Sequence, residues 1–347
     1  MKVNLFGKTY NEIREIAEEL MLPRYAADQI CNWLYNKNAL TIDEMSNLPK
    51  KARSMLGNKY EILRIKPLEV KISADGTKKY LFRTTHSRYI ETAYIPEIKR
   101  HTLCISSQVG CKRGCSFCMT GKQGYQGDLS PMEILSQFTG IQERNSISNI
   151  VFMGMGEPLD NLDELMKSLE IFTFPYGYGM SPSRITVSTI GIIPAMKAFI
   201  EKSRCNLAVS LHSPFNEERK KLMPVEVTYP VKEVIDVLKS YDYGKQRRLS
   251  FEYIMFRGVN DTPKHVNEIS RLLSGLKCRI NLIRFHPVPA TSLEPSDEET
   301  IIRFRNSLTS KGIITTIRAS RGLDIQAACG LLSTRRLNME KSITSLN

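Results

Sequence analysis

The sequence has no long apolar run and few cysteines. No stretch approaches the roughly 18 consecutive apolar residues that a transmembrane helix requires, so we expect no membrane contact. Eight cysteines in 347 residues are too few for a disulfide scaffold. The first residues, Met1-Lys2-Val3-Asn4, lack the apolar core of a secretory signal. These absences favour a location in the reducing cytoplasm.

Acidic residues are also scarce relative to basic ones. The chain has 36 Asp and Glu against 49 Lys and Arg, a net charge of +13. Such an excess favours a polyanionic partner, because contacts with phosphates release counterions. We favour RNA over a basic surface that merely keeps the protein soluble, although no aromatic-rich RNA-recognition signature is visible. The basic patches are Lys50, Lys51 and Arg53; Lys78 and Lys79; Lys99 and Arg100; Arg219, Lys220 and Lys221; Lys245, Arg247 and Arg248; Arg335 and Arg336.

The residue pattern divides the chain into three parts. Residues 1–60 carry apolar residues at helical spacing, which predicts a small helical accessory domain for docking RNA. The capping box Thr41–Glu44 predicts the start of its third helix. Residues 61–96 have a strand pattern around Asp75-Gly76, which predicts a short β-hairpin linker. Residues 97–347 form the predicted core.

Strands alternate with helices in this core. Runs such as Ile-Val-Phe-Met are apolar on both faces, as buried parallel strands require. About six βα units predict an α/β fold with an incomplete (β/α)6 barrel, whose chemistry lies in the loops at the carboxyl ends of the strands. The predicted strands are Thr102–Ser107, Asn149–Gly154, Arg184–Thr189, Asn206–His212, Ser250–Met255, Arg279–Phe285 and Ile313–Arg318.

Three cysteines lie within eight residues after the first of these strands: Cys111, Cys115 and Cys118. Three thiolates can hold three irons of a [4Fe–4S] cluster and leave the fourth iron with an open position for a substrate. The alternative is a structural zinc site, for which Cys104 or His101 would supply the fourth ligand. Phe117 fits a cluster that is shielded from water by an aromatic ring.

Polar residues follow the later strands. Gly156 and Glu157 come after the second strand, where glycine lets a ligand approach the backbone and the carboxylate can accept a bond from an ammonium group. The third strand ends with Ser188-Thr189, the fourth ends with Ser210-Leu211-His212, and the sixth contains Asn281. Each alone is typical of ordinary structure, but four such loops around one cluster predict a shared pocket.

These motifs resemble those of radical S-adenosylmethionine (SAM) enzymes. Within them, the run from Thr102 to Cys111 and the run from Asp324 to Gly330 resemble the RlmN/Cfr group, the adenosine methyltransferases of large-subunit ribosomal RNA. The resemblance covers nearly the whole chain. It implies a [4Fe–4S] cluster on Cys111, Cys115 and Cys118. It also implies SAM contacts from Gly156, Glu157, Ser188, Ser210, Leu211, His212 and Asn281.

The resemblance also implies a two-cysteine mechanism that uses two SAM molecules per turnover. Cys329 takes a methyl group from the first SAM, and a radical made from the second abstracts hydrogen from that methyl group. The methylene radical adds to adenine and gives a covalent protein–RNA adduct. Glu91 removes the ring proton, and Cys104 attacks the sulfur of Cys329 to form a disulfide and release the product. Without the resemblance, Cys329 is typical of a buried helical cysteine and Glu91 of a solvated strand carboxylate.

The group divides between enzymes that methylate carbon 2 and carbon 8 of adenine. Gly121-Lys122-Gln123-Gly124 resembles the C2 enzymes, whereas Arg284-Phe285 is closer to the C8 enzymes and Gly127-Asp128 departs from the common C2 pattern. We expect C2 methylation of 23S rRNA in the peptidyl-transferase centre and of the adenosine 3′ of the anticodon in some tRNAs. We also expect a monomer that receives electrons from a flavodoxin-like donor. A zinc-containing RNA-binding protein is the alternative of a different class. Enzymes that attach sulfur to RNA carry three further clustered cysteines, and Cys31, Cys205 and Cys278 are too scattered for that role.

Overall fold

The computed structural model describes residues 2–244, 247–288 and 291–325. A helical unit opens the chain, and a two-stranded parallel pair ties its ends together. Thr9 and Glu12 form a capping box at the first helix, where the Glu12 carboxylate accepts from the Thr9 amide at 2.8 Å. The elements are β1 (Val3–Asn4), α1 (Tyr10–Glu19), α2 (Ala26–Cys31), α3 (Lys50–Lys59) and β2 (Tyr60–Glu61).

The third helix does not begin where the sequence predicted. The Thr41–Glu44 capping box forms, but it closes only the single 3-10 turn Ile42–Glu44. Met45 leaves the helical region with ψ of 62°, and Pro49 then precedes the true helix α3. The prediction of a helix start at Thr41 is therefore wrong, because the cap chemistry is local whereas helix continuation depends on the residues after it.

Antiparallel strands connect the helical unit to the core. The predicted hairpin at Asp75-Gly76 is confirmed, with Gly76 in the left-handed conformation at φ +82°. A third strand continues the hairpin, and the three extend the sheet of the core. The domain boundary at residue 96 remains a prediction. The strands are β3 (Pro67–Ile72), β4 (Lys78–Arg83) and β5 (Tyr89–Glu97).

The core alternates strands and helices as predicted. A long loop that contains the cysteine triplet follows the first strand and carries two short strands and a short helix. The first part comprises β6 (Arg100–Cys104), β7 (Gln108–Val109), α4 (Met119–Gln123), β8 (Gly127–Asp128) and α5 (Pro131–Thr139). The remainder comprises β9 (Asn149–Phe152), α6 (Leu162–Thr173), β10 (Ile185–Thr189), α7 (Ile193–Lys202), β11 (Asn206–Ser210), α8 (Asn216–Leu222), α9 (Val231–Lys239), β12 (Leu249–Met255), α10 (Pro263–Leu272), β13 (Arg279–Arg284), α11 (Glu298–Ser310) and β14 (Ile314–Ile317).

One ten-stranded sheet organises the molecule, in the order β14-β13-β12-β11-β10-β9-β6-β5-β4-β3. Its seven strands β6 and β9 to β14 run parallel, which confirms the incomplete (β/α)6 barrel with a final strand. One face of these strands is fully buried under the helices, with Leu103, Val187 and Leu207 at 0% exposure. Among the residues described, none of the helices combines the length and the apolar character that crossing a lipid bilayer demands.

Loop contacts bring the two ends of the sheet together. The Asp324 carboxylate accepts from the Ser73 hydroxyl at 2.5 Å and from the Ala74 amide at 3.0 Å. Asp75 in the hairpin turn accepts from the Gly322 amide at 2.9 Å. The segment after β14 is therefore anchored to the tip of the β3–β4 hairpin, on the opposite edge of the sheet.

Candidate active site

The strand-borne residues predicted for the site lie on one face of the sheet. Residues paired in neighbouring strands point to the same side, and alternate residues along a strand share a face. The register therefore runs along one face through the pairs Lys79↔Ala93, Ala93↔Cys104, Cys104↔Val151, Val151↔Thr186, Ser188↔Ala208, Ser210↔Glu252 and Glu252↔Asn281. Glu91, two residues from Ala93, shares it. We call this the inner face, and it brings together Glu91, Cys104, Ser188, Ser210 and Asn281.

The cysteine loop closes at the end of β6. The β7–β8 pair brings Gly124 back to Cys111, whose amide donates to the Gly124 carbonyl at 3.2 Å. Gly110 has φ of +73°, and a Cβ there would lie 1.7 Å from the Gly124 oxygen. Only glycine fits this position, so the sequence dictates the tight closure of the loop that carries the three cysteines.

The thiols of the cysteine loop lie close enough to influence one another's pKa. Burial, followed by the neighbouring thiol of Cys118, raises the pKa of Cys111 to about 12. Burial and then the thiols of Cys118 and Cys111 raise the pKa of Cys115 above its ordinary value. The thiols of Cys111 and Cys115 are therefore protonated at neutral pH, and metal binding would release their protons.

The donor set fits a multi-iron cluster. The loop offers three thiols, those of Cys111, Cys115 and Cys118, whereas a structural zinc site takes four ligands. A [4Fe–4S] cluster spreads its thiolates over separate irons. His101, one of the candidates for a fourth zinc ligand, is bonded through Nδ1 to the Tyr94 hydroxyl at 2.5 Å.

Aromatic side chains form a wall beside the cysteine loop. The Phe117 ring meets His212 edge-on with centroids 4.8 Å apart, and Phe256 lies 5.6 Å away. His212 adopts φ of +53°, a strained conformation for a residue with a side chain. Its Nδ1 accepts from the Ile254 amide at 3.1 Å, and its carbonyl accepts from the Asn260 amide group at 2.7 Å. Burial lowers the pKa of His212 to about 3, so the ring is neutral, with its proton on Nε2.

The glycine-rich run after β9 packs against the start of the cysteine loop. Gly156 has φ of +99°, and a Cβ there would lie 2.5 Å from the Gln108 Cβ. The next amide, of Glu157, donates to the Gln108 side chain at 2.9 Å. Close packing against Gln108 therefore requires glycine at this position, and the predicted approach of a ligand to this backbone stays a prediction.

Glu157 bridges two strand ends. Its carboxylate is 3% exposed and accepts from the Leu159 amide at 3.1 Å and from the Ile190 amide at 3.0 Å. Burial raises the pKa of Glu157 to about 7, although these hydrogen bonds act in the opposite direction. The side chain holds the loop after β9 against the end of β10, and its remaining lone pairs can accept from a ligand.

Arg219 is a residue that sequence reasoning missed. Its side chain is fully buried and donates to the carbonyls of Leu211 at 3.0 Å, Ser210 at 3.0 Å and Ile190 at 2.9 Å. It also forms an ion pair with Glu226. The guanidinium thus joins the carboxyl ends of β10 and β11, where Leu211 itself is fully buried. In the sequence, Arg219 belongs to the exposed-looking patch Arg219-Lys220-Lys221, which hid this role.

A polar network crosses the inner face beside Asn281. The Asn281 amide donates to Glu252 at 2.7 Å and its oxygen accepts from Thr316 at 2.7 Å. Arg318 pairs with Glu252 at 3.2 Å between its Nε and Oε2. Glu252 is 4% exposed and was also missed, although an acidic residue inside the apolar run Ser-Phe-Glu-Tyr-Ile-Met was a usable signal.

The residues predicted for the two-cysteine mechanism are placed in part. Burial raises the pKa of Cys104 to about 11, and the Met153 amide and the Arg318 guanidinium act in the opposite direction. Glu91 is 6% exposed and is not a solvated strand carboxylate. Cys329 lies outside the described residues, four positions after Ile325.

Comparisons with known proteins agree with this arrangement. Residues 105–272 match the family model of the radical SAM superfamily. Residues 3–62 match the ribosomal RNA large subunit methyltransferase N-terminal domain. The first match includes the cysteine loop and most of the parallel strands, and the second corresponds to the helical unit.

Curated relatives match over nearly the full length. A probable dual-specificity RNA methyltransferase RlmN of Phocaeicola vulgatus is 53% identical over 99% of this chain and 98% of its own. The dual-specificity RNA methyltransferase RlmN of Nitratiruptor sp. is 39% identical over 93% of this chain and 96% of its own. The crystal structure of a radical SAM methyltransferase from Sphaerobacter thermophilus superposes with a TM-score of 0.87 at 38% identity, covering 94% of this chain and 98% of that one.

Proposed function

Because the chain belongs to the RlmN dual-specificity RNA methyltransferases of the radical SAM superfamily, we propose that it methylates carbon 2 of adenosine. The proposed substrates are an adenosine in the peptidyl-transferase centre of 23S rRNA and the adenosine 3′ of the anticodon in some tRNAs. Enzymes of this family use a [4Fe–4S] cluster and SAM. The site residues, the target carbon and the reaction route are proposals for this chain.

The single observation that carries the proposal is the shared inner face. Cys104 and Glu91, proposed to act on the RNA, lie on the same side of the sheet as Ser188, Ser210 and Asn281, proposed to bind SAM. A methyl group carried on a protein sulfur must reach both the residues that act on the RNA and the residues that bind SAM. An adenine in folded RNA must first be unstacked to reach this face, at a cost of a few kcal/mol.

The cofactor-binding residues have matched tasks. Cys111, Cys115 and Cys118 would hold the cluster, and Gly156, Glu157, Ser188, Ser210, Leu211, His212 and Asn281 would contact SAM. When bound, the cluster would supply one-electron chemistry, giving the electron that cleaves SAM and accepting the electron that leaves the adduct. The Phe117 ring, packed edge-on against His212, would shield a bound cluster from water.

The chain's own residues perform the remaining steps. Cys329 would take a methyl group from one SAM, give up one hydrogen atom of that methyl group to the radical made from a second SAM, and bond through the methylene carbon to the adenine carbon, so that a covalent adduct forms. Glu91 takes the proton from that carbon, and one electron leaves. The Cys104 thiolate then attacks the Cys329 sulfur: the S–S bond forms, the bond from that sulfur to the new methyl carbon breaks, and the carbon gains a proton. Burial holds the thiol of Cys104 protonated until this step, which protects it from other reactions.

Arg284 and Phe285, which resemble the C8 enzymes, have structural tasks here. Arg284 pairs with Glu298 at 2.6 Å and donates to the Arg318 carbonyl at 2.7 Å. Phe285 is buried and packs edge-on against Phe256 at 4.9 Å. These contacts explain why Arg284 and Phe285 occupy these positions without reference to the target carbon, so C2 remains our proposal.

The covalent adduct provides the test. C104A should trap substrate RNA on the protein during turnover, whereas C118A should remove the cluster and give no adduct. C205A is the matched control, because Cys205 is a buried cysteine outside the site, and it should behave as the parent. A C104A protein with normal iron content and no adduct would overturn the two-cysteine route. Mass spectrometry of the methylated RNA distinguishes 2-methyladenosine from 8-methyladenosine.

A further inference from the structure

A buried ion pair lies on the inner face next to the proposed chemistry. The Lys79 ammonium is 3.6 Å from the Glu91 carboxylate, and their side chains are 2% and 6% exposed. Lys79 stands on β4 opposite Ala93, which stands opposite Cys104 on β6. The pair therefore lies within the row of residues that ends at the proposed resolving cysteine.

Stability alone does not explain this pair. Burying two charges costs several kcal/mol per ion before their attraction is counted, and apolar residues of similar size usually serve a core at least as well. The apolar residues beside the pair, Leu81 and Tyr89, form a small cluster separate from the main core. A lysine at 2% exposure in this wall therefore points to a task at the site.

The task follows from the requirements of a base. A carboxylate that is removed from water favours its protonated, inactive form, and an adjacent cation favours the ionised form. We propose that Lys79 is the positioning residue of Glu91: it keeps the carboxylate ionised and oriented toward the adduct carbon. This inference rests on the proposed function. A Glu91 oxygen takes the ring proton, the electrons of the broken C–H bond stay in the ring, and Lys79 remains an ammonium throughout.

Other charged or titratable groups on this face must be considered in any pH measurement. Among the described residues near the pair, they are Glu69 and Lys71 on β3, Arg83 on β4, Tyr89 on β5, Cys104 on β6, Glu252 on β12 and Arg318 after β14. Lys71 stands directly opposite Lys79, and Arg318 lies close enough to act on Cys104. The Cys104 thiol titrates in every variant that retains it. The informative quantity is therefore the ratio of the adduct lifetime in the variant to that in the parent at each pH. The pH profile of either protein alone does not isolate the effect of Lys79.

The test measures the lifetime of the covalent adduct in single turnovers of the cluster-loaded enzyme with substrate RNA. K79M removes the ammonium with little change in shape, and at pH 7 the adduct should persist on the order of tenfold longer than in the parent. Raising the pH should close this gap, because it restores the ionised carboxylate. K79R keeps a positive charge at this position, so its adduct lifetime should match that of the parent at each pH. K79Q is a second neutral variant in case K79M does not fold.

The neighbouring lysine supplies a matched control. Lys78 lies on the opposite face of the same strand and pairs with Glu143 at 2.5 Å. K78M should have the parent's adduct lifetime at every pH. Iron content and SAM binding should be unchanged in all of these variants, since Lys79 lies on β4, away from the cysteine loop.

The outcomes separate the two levels of the proposal. If E91Q turns over normally, Glu91 is not the base and the proposed function fails at that step. If E91Q accumulates adduct but the neutral Lys79 variants match the parent, only the Lys79 inference fails. A lengthened lifetime that is the same at every pH would also overturn it, because a merely structural lysine would give that result.

Discussion

Two buried ionisable groups at the proposed cofactor pocket, His212 and Glu157, are each held by the backbone. The His212 ring accepts from the Ile254 amide, and the Glu157 carboxylate accepts from two amides. Their pKa values move in opposite senses, to about 3 and about 7, and burial is the main cause of both shifts because it disfavours either charge. The pocket therefore presents a neutral ring and a carboxyl group that changes charge near physiological pH.

His212 predicts a dependence of stability on pH. Its pKa is about 3 in the folded chain against 6.5 ordinarily, so between these values the unfolded chain binds more protons. The stability that the neutral ring contributes is complete above pH 6.5 and is lost as the pH falls. In H212N the side chain does not titrate, so the difference in Tm between parent and variant should narrow from pH 7.5 to 5.5. The raised pKa of Glu157 has the opposite effect on stability, but this effect is the same in both proteins and cancels in the comparison. A Tm difference that stays constant from pH 7.5 to 5.5 would contradict the prediction.

Gly156 predicts a steric requirement. In G156A the new methyl group meets the Gln108 side chain, whose oxygen holds the Glu157 amide, and the positive φ adds strain. We expect a loss of roughly 2 kcal/mol or more in the free energy of unfolding and a weaker affinity for SAM. Chemical denaturation and calorimetry with SAM measure the two effects.

Gly179 separates the clash from the backbone strain. It also has positive φ, at +60°, but nothing lies within 4 Å of a Cβ placed there. G179A should lose only about 1 kcal/mol and keep its SAM affinity. If G156A behaves like G179A, close packing against Gln108 is not what the position requires.

Among the elements, strand ends depend on side chains from the following loops. Arg219 on α8 holds the carbonyl groups at the ends of β10 and β11, and Glu226 accepts from the Val231 amide at the start of α9 at 3.1 Å. A single buried ion pair thus links two strands and two helices. The position of Ser210 and His212 follows from this link.

Breaking the pair should cost more than removing both charges. R219M leaves Glu226 buried without its guanidinium and should lower the free energy of unfolding by roughly 3–5 kcal/mol. R219M/E226Q should recover part of this loss, since the amide is uncharged and still accepts from Val231. Denaturant unfolding measures both. R303M, at the exposed Arg303–Glu299 pair, should change stability by less than about 1 kcal/mol. A double variant that is no more stable than R219M would contradict the argument.

The strands could be predicted from the sequence because their signal is local. Apolar runs such as Leu207 to Val209 mark buried strands, and the seven predicted strands of the core agree with the structure to within two or three residues at their ends. The helix predicted from Thr41 failed because a capping box specifies one turn, whereas Met45 and Pro49 determine whether the helix continues beyond it.

Candidate site residues could be predicted where glycines or polar residues at strand ends mark them. They could not be predicted where strand pairing alone determines which face a side chain occupies. Ser188 and Ser210 were predicted from their position at the ends of strands and Asn281 from its place within the sixth, and the register puts all three on the inner face. Lys79 and Glu252 were not, because a charged residue within a strand is exposed or buried according to the face it occupies. Only pairing with the neighbouring strands determines that face.

At the scale of the whole molecule, the proposed chemistry and the proposed RNA contacts lie on different surfaces. The proposed reacting face is the inner face of the sheet, whereas we expect phosphates to bind Lys and Arg on the outer surface. The net charge of +13 supplies this attraction, but its distribution decides which surface meets the RNA. The helical unit has the exposed Lys50 and Lys51 at the start of α3.

Charge reversal on α3 tests whether the helical unit docks the RNA. K50E/K51E should weaken binding of substrate RNA, and the slope of log K against log salt should fall by about 0.7–0.9 for each phosphate contact that is lost. Adduct formation at saturating RNA should be unchanged, since α3 is remote from the inner face. K197E/K202E makes the same charge change at exposed positions of α7 and should leave the slope close to that of the parent. Equal weakening by both pairs would mean that net charge alone attracts the RNA, and the helical unit would then have no special part in docking.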